Sequence, residues 1–75
     1  MNLKIKVNRE VKRQGERCSE AYLNMLLKGT KDASYKLSVV LGKIFMSPVE
    51  VWCDENKRKL RKGVFRVWAE SQEGK

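Results

Sequence analysis

The chain contains no histidine, a single proline and only two cysteines, and each shortage removes a class of chemistry. Without histidine there is no imidazole to act as a base near neutral pH or to ligate zinc. Cys18 and Cys53 stand too far apart to form a CxxC pair, so a zinc finger and Cys-His catalysis are both excluded. No pair of carboxylates and no nucleophile-base set is spaced for chemistry, so no enzyme activity, metal or cofactor is expected. Apolar runs are only a few residues long, against the roughly 20 that a membrane-spanning helix needs, and no membrane partner is expected. With no apolar leader at the start, both cysteines are expected as free thiols that fill packing space in a reducing cytoplasm.

What the chain has in excess is positive charge. Seventeen Lys and Arg against nine Asp and Glu leave a formal charge of +8 on 75 residues. Such a field attracts polyanions at long range, which makes double-stranded DNA the first partner to consider. The length allows one domain, 1–75, which buries only about 60% of its unfolded surface, so a homodimer would add useful burial.

Residues 3 to 7, Leu-Lys-Ile-Lys-Val, alternate strictly and predict a short strand with Leu3, Ile5 and Val7 on one face. Asn8 is a candidate cap for a helix-compatible stretch from Arg9 to Gln14, which Gly15 interrupts. Ser19 is a good N-cap, followed by Leu23, Leu26 and Leu27 on one stripe and Glu20, Asn24 and Lys28 on another. Gly29 supplies a left-handed stop, and Asp32 is a candidate cap for the next helix. Leu37, Val40, Leu41 and Ile44 recur at helical spacing and predict a core-facing helix that ends near Phe45. Ser47, Pro48 and Glu50 read as cap, first-turn proline and capping-box acid of a further helix that buries Val49 and Trp52. Beyond Gly63, Val64 to Trp68 has the β-branched and aromatic content of a strand, which would pair with residues 3–7 or close a hairpin across Lys62-Gly63. Residues 71–75 are expected to fray. The fold class is therefore mainly α with some α+β character: a compact helix-turn-helix domain of three to four helices with short strands at both ends.

The residues Ser19, Tyr22, Leu23, Leu26 and Gly29, then Leu37, Leu41, Gly42, Ser47, Pro48 and Trp52, resemble the helix-turn-helix family of phage repressors and Cro proteins. In that family a recognition helix ends in glycine, and later helices carry a phrase like "LG…SP…W". Four residues separate "LG" from Ser-Pro here, so the helix is expected to run on through Gly42. The resemblance implies a transcriptional regulator of phage, prophage or plasmid type, in the cytoplasm of a prokaryotic or phage-infected cell, that binds an operator as a dimer. It assigns base contacts to the first turns of the recognition helix, about 19–28, which are Ser19, Glu20, Ala21 and Asn24 in this chain. Asn suits adenine and Glu suits cytosine, so these types fit a major-groove reader.

Cations around that helix, Arg17, Lys28 and Lys31, are expected on phosphates, where they set register without reading sequence. A second cluster, Lys57, Arg58, Lys59, Arg61 and Lys62, is the densest run of charge and predicts a backbone clamp. Two other readings compete. A ribbon-helix-helix repressor or antitoxin would read bases with Lys4, Lys6 and Asn8 on strand 3–8, although Gly15 breaks the helix that should follow. A small phage-type interaction module, or an inhibitor of a host protein, would use Trp52, Phe65 and Trp68 as anchors.

Overall fold

The computed structural model describes residues 3–73, and among them every regular element is helical. Helix α1 spans Leu3–Arg13, α2 Glu20–Lys28, α3 Tyr35–Phe45, α4 Glu50–Cys53, and α5 Leu60–Glu73, with a 3-10 turn at Glu55–Lys57 between the last two. The protein is thus mainly α, and neither expected terminal strand exists.

The first strand fails because its alternation is also half of a helical stripe. Val7 and Val11, four residues apart, are both fully buried, while Ile5 is half exposed. A strand would place Ile5 on the same face as Val7, whereas a helix stacks Val7 with Val11 and turns Ile5 away from them. The stretch from Arg9 to Gln14 is accordingly the second half of α1, and Asn8 sits inside that helix. At the other end, Val64, Phe65 and Trp68 pack against the core whereas Arg66 and Val67 face out. That is a three-four spacing, so α5 overrides the β-propensity of Val64 to Trp68. Residues 71–73 continue α5; the remainder of the expected frayed tail lies outside the described residues.

The middle of the chain folds as its periodicity requires. Leu23, Leu26 and Leu27 of α2, Leu37, Val40, Leu41 and Phe45 of α3, and Val51 and Trp52 of α4 join the α1 valines in one core, each large side chain contributing about 1.5–3 kcal/mol by burial. Ile44 is partly buried at its edge. Phe45 lies at the centre of an aromatic group, stacked on Trp52 at 4.9 Å and edge-on to Trp68 at 5.1 Å, with Phe65 at 5.8 Å. Trp52 is fully buried in the core, and Phe65 and Trp68 are partly buried against it, so none of the three is an exposed aromatic.

Two caps differ from expectation. Ser34, rather than Asp32, caps α3, its hydroxyl accepting the Leu37 N–H at 3.3 Å. Ser47 does not cap α4; its hydroxyl accepts from the buried Trp52 indole N–H at 3.0 Å, and α4 starts beyond Val49 with no side-chain cap. A buried indole donor without a partner costs more than a helix end that water can reach. Val49 is only half buried. The turn between α3 and α4 folds back so tightly that a Cβ on Gly42 would lie 2.9 Å from the Ser47 carbonyl oxygen. Met46 in that turn is left-handed, φ 53°, which costs a residue with a Cβ roughly 1–2 kcal/mol. No described helix is long and apolar enough to cross a membrane.

Candidate nucleic-acid interface

The end of α2 sets the site. Ser19 opens this helix by accepting the Tyr22 N–H at 3.0 Å, and Gly29 closes it in the left-handed region at φ 83°. The Thr30 N–H returns to the Met25 carbonyl and the Gly29 N–H to that of Leu26, which is the Schellman closure. Gly29 has a second reason to lack a side chain: a Cβ there would come 3.3 Å from Arg58 Cβ. The close approach brings Lys28 beside the second basic cluster.

That cluster divides into a buried and an exposed part. Arg61 is fully buried. Its Nε donates to the Val51 carbonyl at 2.6 Å, its Nη1 to those of Leu26 at 3.1 Å and Lys31 at 2.7 Å, and its Nη2 to Asp32 at 2.8 Å. Every direction of the guanidinium fork is committed inside the fold, so Arg61 is not a phosphate contact, contrary to the sequence expectation. Arg58 grips the same carboxylate with two bonds, 2.9 and 2.6 Å long. Those bonds, then the ones from Arg61, hold the Asp32 carboxyl well below the usual carboxylate range, and Asp32 in turn raises Arg58. Asp32 is thereby the post that fixes the basic segment against the end of α2.

Around this latch, Lys28, Arg58, Lys59 and Lys62 line a depression of about 310 Å³ with Leu27 and Gly29. Lys28, Lys59 and Lys62 are exposed. The first turn of α5, which contains Lys62, has no acidic residue, so the positive end of that helix dipole adds to the cations. Of the other expected phosphate contacts, Lys31 and Lys57 are exposed near the latch in sequence and do not line the depression. Arg17 lies elsewhere. It lines a separate depression of about 500 Å³ with Ile5, Asn8, Arg9, Lys12 and Cys18. Arg9 and Lys12 belong to this second basic region and were not singled out from sequence; reading 3–13 as one helix puts them three apart on one face.

The expected base-contacting set is only partly displayed. Ser19, Glu20 and Ala21 are exposed at the start of α2. Asn24 is half buried, with its Oδ1 accepting from Lys4 Nζ of α1. Asn8 ties the same two helices: its amide nitrogen faces the Cys18 carbonyl at 3.0 Å and its oxygen the Glu20 N–H at 3.1 Å, the orientation that satisfies both. Lys6 donates to Gln72 of α5. Lys4, Lys6 and Asn8 are thus helical and engaged with neighbouring helices, which removes the ribbon that the ribbon-helix-helix reading needs.

Both cysteines are free. Partial burial pushes the Cys18 thiol up to about 11, so it stays protonated at neutral pH. Among the described residues no cluster of acidic or thiol side chains could hold a metal ion. No family model, curated protein or solved structure matches this chain.

Proposed function

We propose that the protein is a small duplex-DNA-binding regulator that holds the phosphate backbone in the depression of Lys28, Arg58, Lys59 and Lys62. The observation that carries this reading is the convergence of Lys28 with Lys59 and Lys62, cations from separate parts of the chain, on one concave surface. The ion pair with Asp32 anchors Arg58 without neutralising the three lysines. A phosphate placed there meets exposed ammonium groups and the positive end of α5, and α2 carries the groove-facing role at Ser19, Glu20 and Ala21. An α-helix with its side chains is about 10–12 Å across, which fits a major groove ~12 Å wide. In this reading two copies occupy an operator with two-fold symmetry.

The test is a salt titration of binding to random duplex. Replacing Lys28, Lys59 and Lys62 together by alanine removes three phosphate contacts and should lower the salt slope by roughly 2.7, at about 0.9 per contact on B-DNA. Specific and random duplex should weaken alike, because backbone contacts carry no sequence information. A wild-type chain that does not bind duplex at low salt, or a triple variant with an unchanged slope, refutes the assignment.

A further inference from the structure

A groove runs between α5 and the turn that joins α3 to α4, and its lining is mostly apolar, with Lys59 as its one charged residue. Met46, Pro48, Leu60, Val64 and Val67 line it, in a volume of about 590 Å³. Three of these residues are conspicuously open: Met46 is 93% exposed, Val67 67% and Leu60 50%. Met46 is the left-handed C-cap of α3, its N–H returning to the Gly42 carbonyl, and this turn leaves its side chain in solvent at the mouth of the groove. Gly63 lies on the groove wall inside α5, and the methyl that alanine would add there meets no atom within 4 Å. Glycine weakens a helix interior, and here no contact within the chain requires it.

Beside the apolar row Leu60, Val64 and Val67 runs a row of cations that begins one residue before α5. Lys59, Lys62 and Arg66 follow at three and four residues, all exposed. Adjacent apolar and basic rows about two turns long complement a helix with apolar anchors at i, i+3 or i+4, and i+7 and carboxylates along one edge. A second copy of this chain would bring +8 against +8, so charge selects an acidic occupant.

We propose that this groove docks an acidic amphipathic helix of a protein partner, with Met46, Leu60 and Val67 as its apolar contacts and Gly63 as the point of closest approach. Lys59 lines both this groove and the phosphate depression, and Lys62 belongs to both basic sets, so the two surfaces adjoin. The uncharged changes that test it leave Lys28, Lys59 and Lys62 in place.

The experiment selects binders to the full chain from a displayed library of 18-residue peptides, roughly five helical turns, with random composition. Affinities of the selected peptides are then measured by fluorescence anisotropy. Enriched peptides should carry apolar residues at helical spacing flanked by Asp or Glu. Met46→Ser and Val67→Ser should each weaken them at least tenfold, with circular dichroism and melting showing an intact fold. Gly63→Ala is the sharpest variant, since it should melt at or above the wild-type temperature and still weaken the same peptides several-fold. Enrichment of neutral or basic peptides, no enrichment at all, or affinities indifferent to Gly63→Ala and Val67→Ser would overturn the proposal. A free chain that sediments as a dimer and is dissociated by Val67→Ser would assign the groove to a second copy and overturn it equally.

Discussion

Arg61 is the residue whose role changes most between sequence and structure, and its replacement by methionine tests the account of the fold directly. Methionine keeps most of the side-chain volume and removes the guanidinium. Three carbonyls, those of Val51, Leu26 and Lys31, then lose a buried donor, and Asp32 loses one of its two cationic partners. Single unsatisfied groups cost about 1–3 kcal/mol each, and breaking a buried charged network by removing one member costs about 3–5 kcal/mol in total. A domain of this length has roughly 4–11 kcal/mol of stability, so Arg61→Met should consume much of it. Urea unfolding followed by the fluorescence of Trp52 and Trp68 measures the loss. With a slope of about 1.5 kcal/mol per molar, the midpoint should fall by roughly 2–3 M. Lys62→Met, one residue along and exposed, is the control and should unfold near the wild-type midpoint. A loss of less than about 1 kcal/mol for Arg61→Met would refute the latch and return Arg61 to the surface, where such changes have small effects.

Three further outcomes follow from the same geometry. Because Asp32 is ionised more readily in the fold than in the unfolded chain, its contribution is complete above the unfolded carboxylate value of about 3.9 and declines as pH falls below it; Asp32→Asn should flatten the acid limb of a stability-pH curve, and a limb of unchanged steepness would refute the pairing. Trp52→Ala, which empties the fully buried site stacked on Phe45, should destabilise by about 3–5 kcal/mol in the same urea assay. Gly29→Ala should destabilise by about 1–2 kcal/mol through its left-handed backbone and the crowding of Arg58, whereas Gly63→Ala should stabilise by about 0.5–1 kcal/mol, so opposite shifts in melting temperature are expected.

The central helices were legible because their signals are local. Ser19 and Gly29 bracket α2 with a hydroxyl acceptor and a left-handed stop, chemistry that depends only on neighbours a few residues away. The run Leu37, Val40, Leu41 and Ile44 shows its period over about two turns, and its steps of three, one and three do not fit the alternation of a strand. The two ends were misread for opposite reasons. Residues 3–7 are too few for a period of two to be told from half of a period near four, and the partner that decides, Val11, lies outside the alternating run. In α5 the inward positions are Arg61, fully buried, and Val64, Phe65 and Trp68, partly buried, a helical stripe whose first member is an arginine. A charged residue at a core position hides the period, and Gly63 between the two halves reads as a break.

For the site, the count of cations and their two clusters were visible in the chain, since charge is a property of composition. Which of those cations are exposed was not. Arg61 and Lys62 are adjacent and of like charge, yet one is sealed among the carbonyls that end α2 and precede α3, and the other lines a basic depression. Asn24 lies on α2 among polar residues at helical spacing, and its engagement was decided by Lys4 from another helix. Local sequence determined the central helices, the two brackets of α2 and the sign of the field because those depend on composition or on contacts within a turn or two. The division of charge between latch and surface, and the apolar groove beside it, depended on how α2, α4 and α5 meet, because long-range burial alone sets which polar groups must find partners inside the protein.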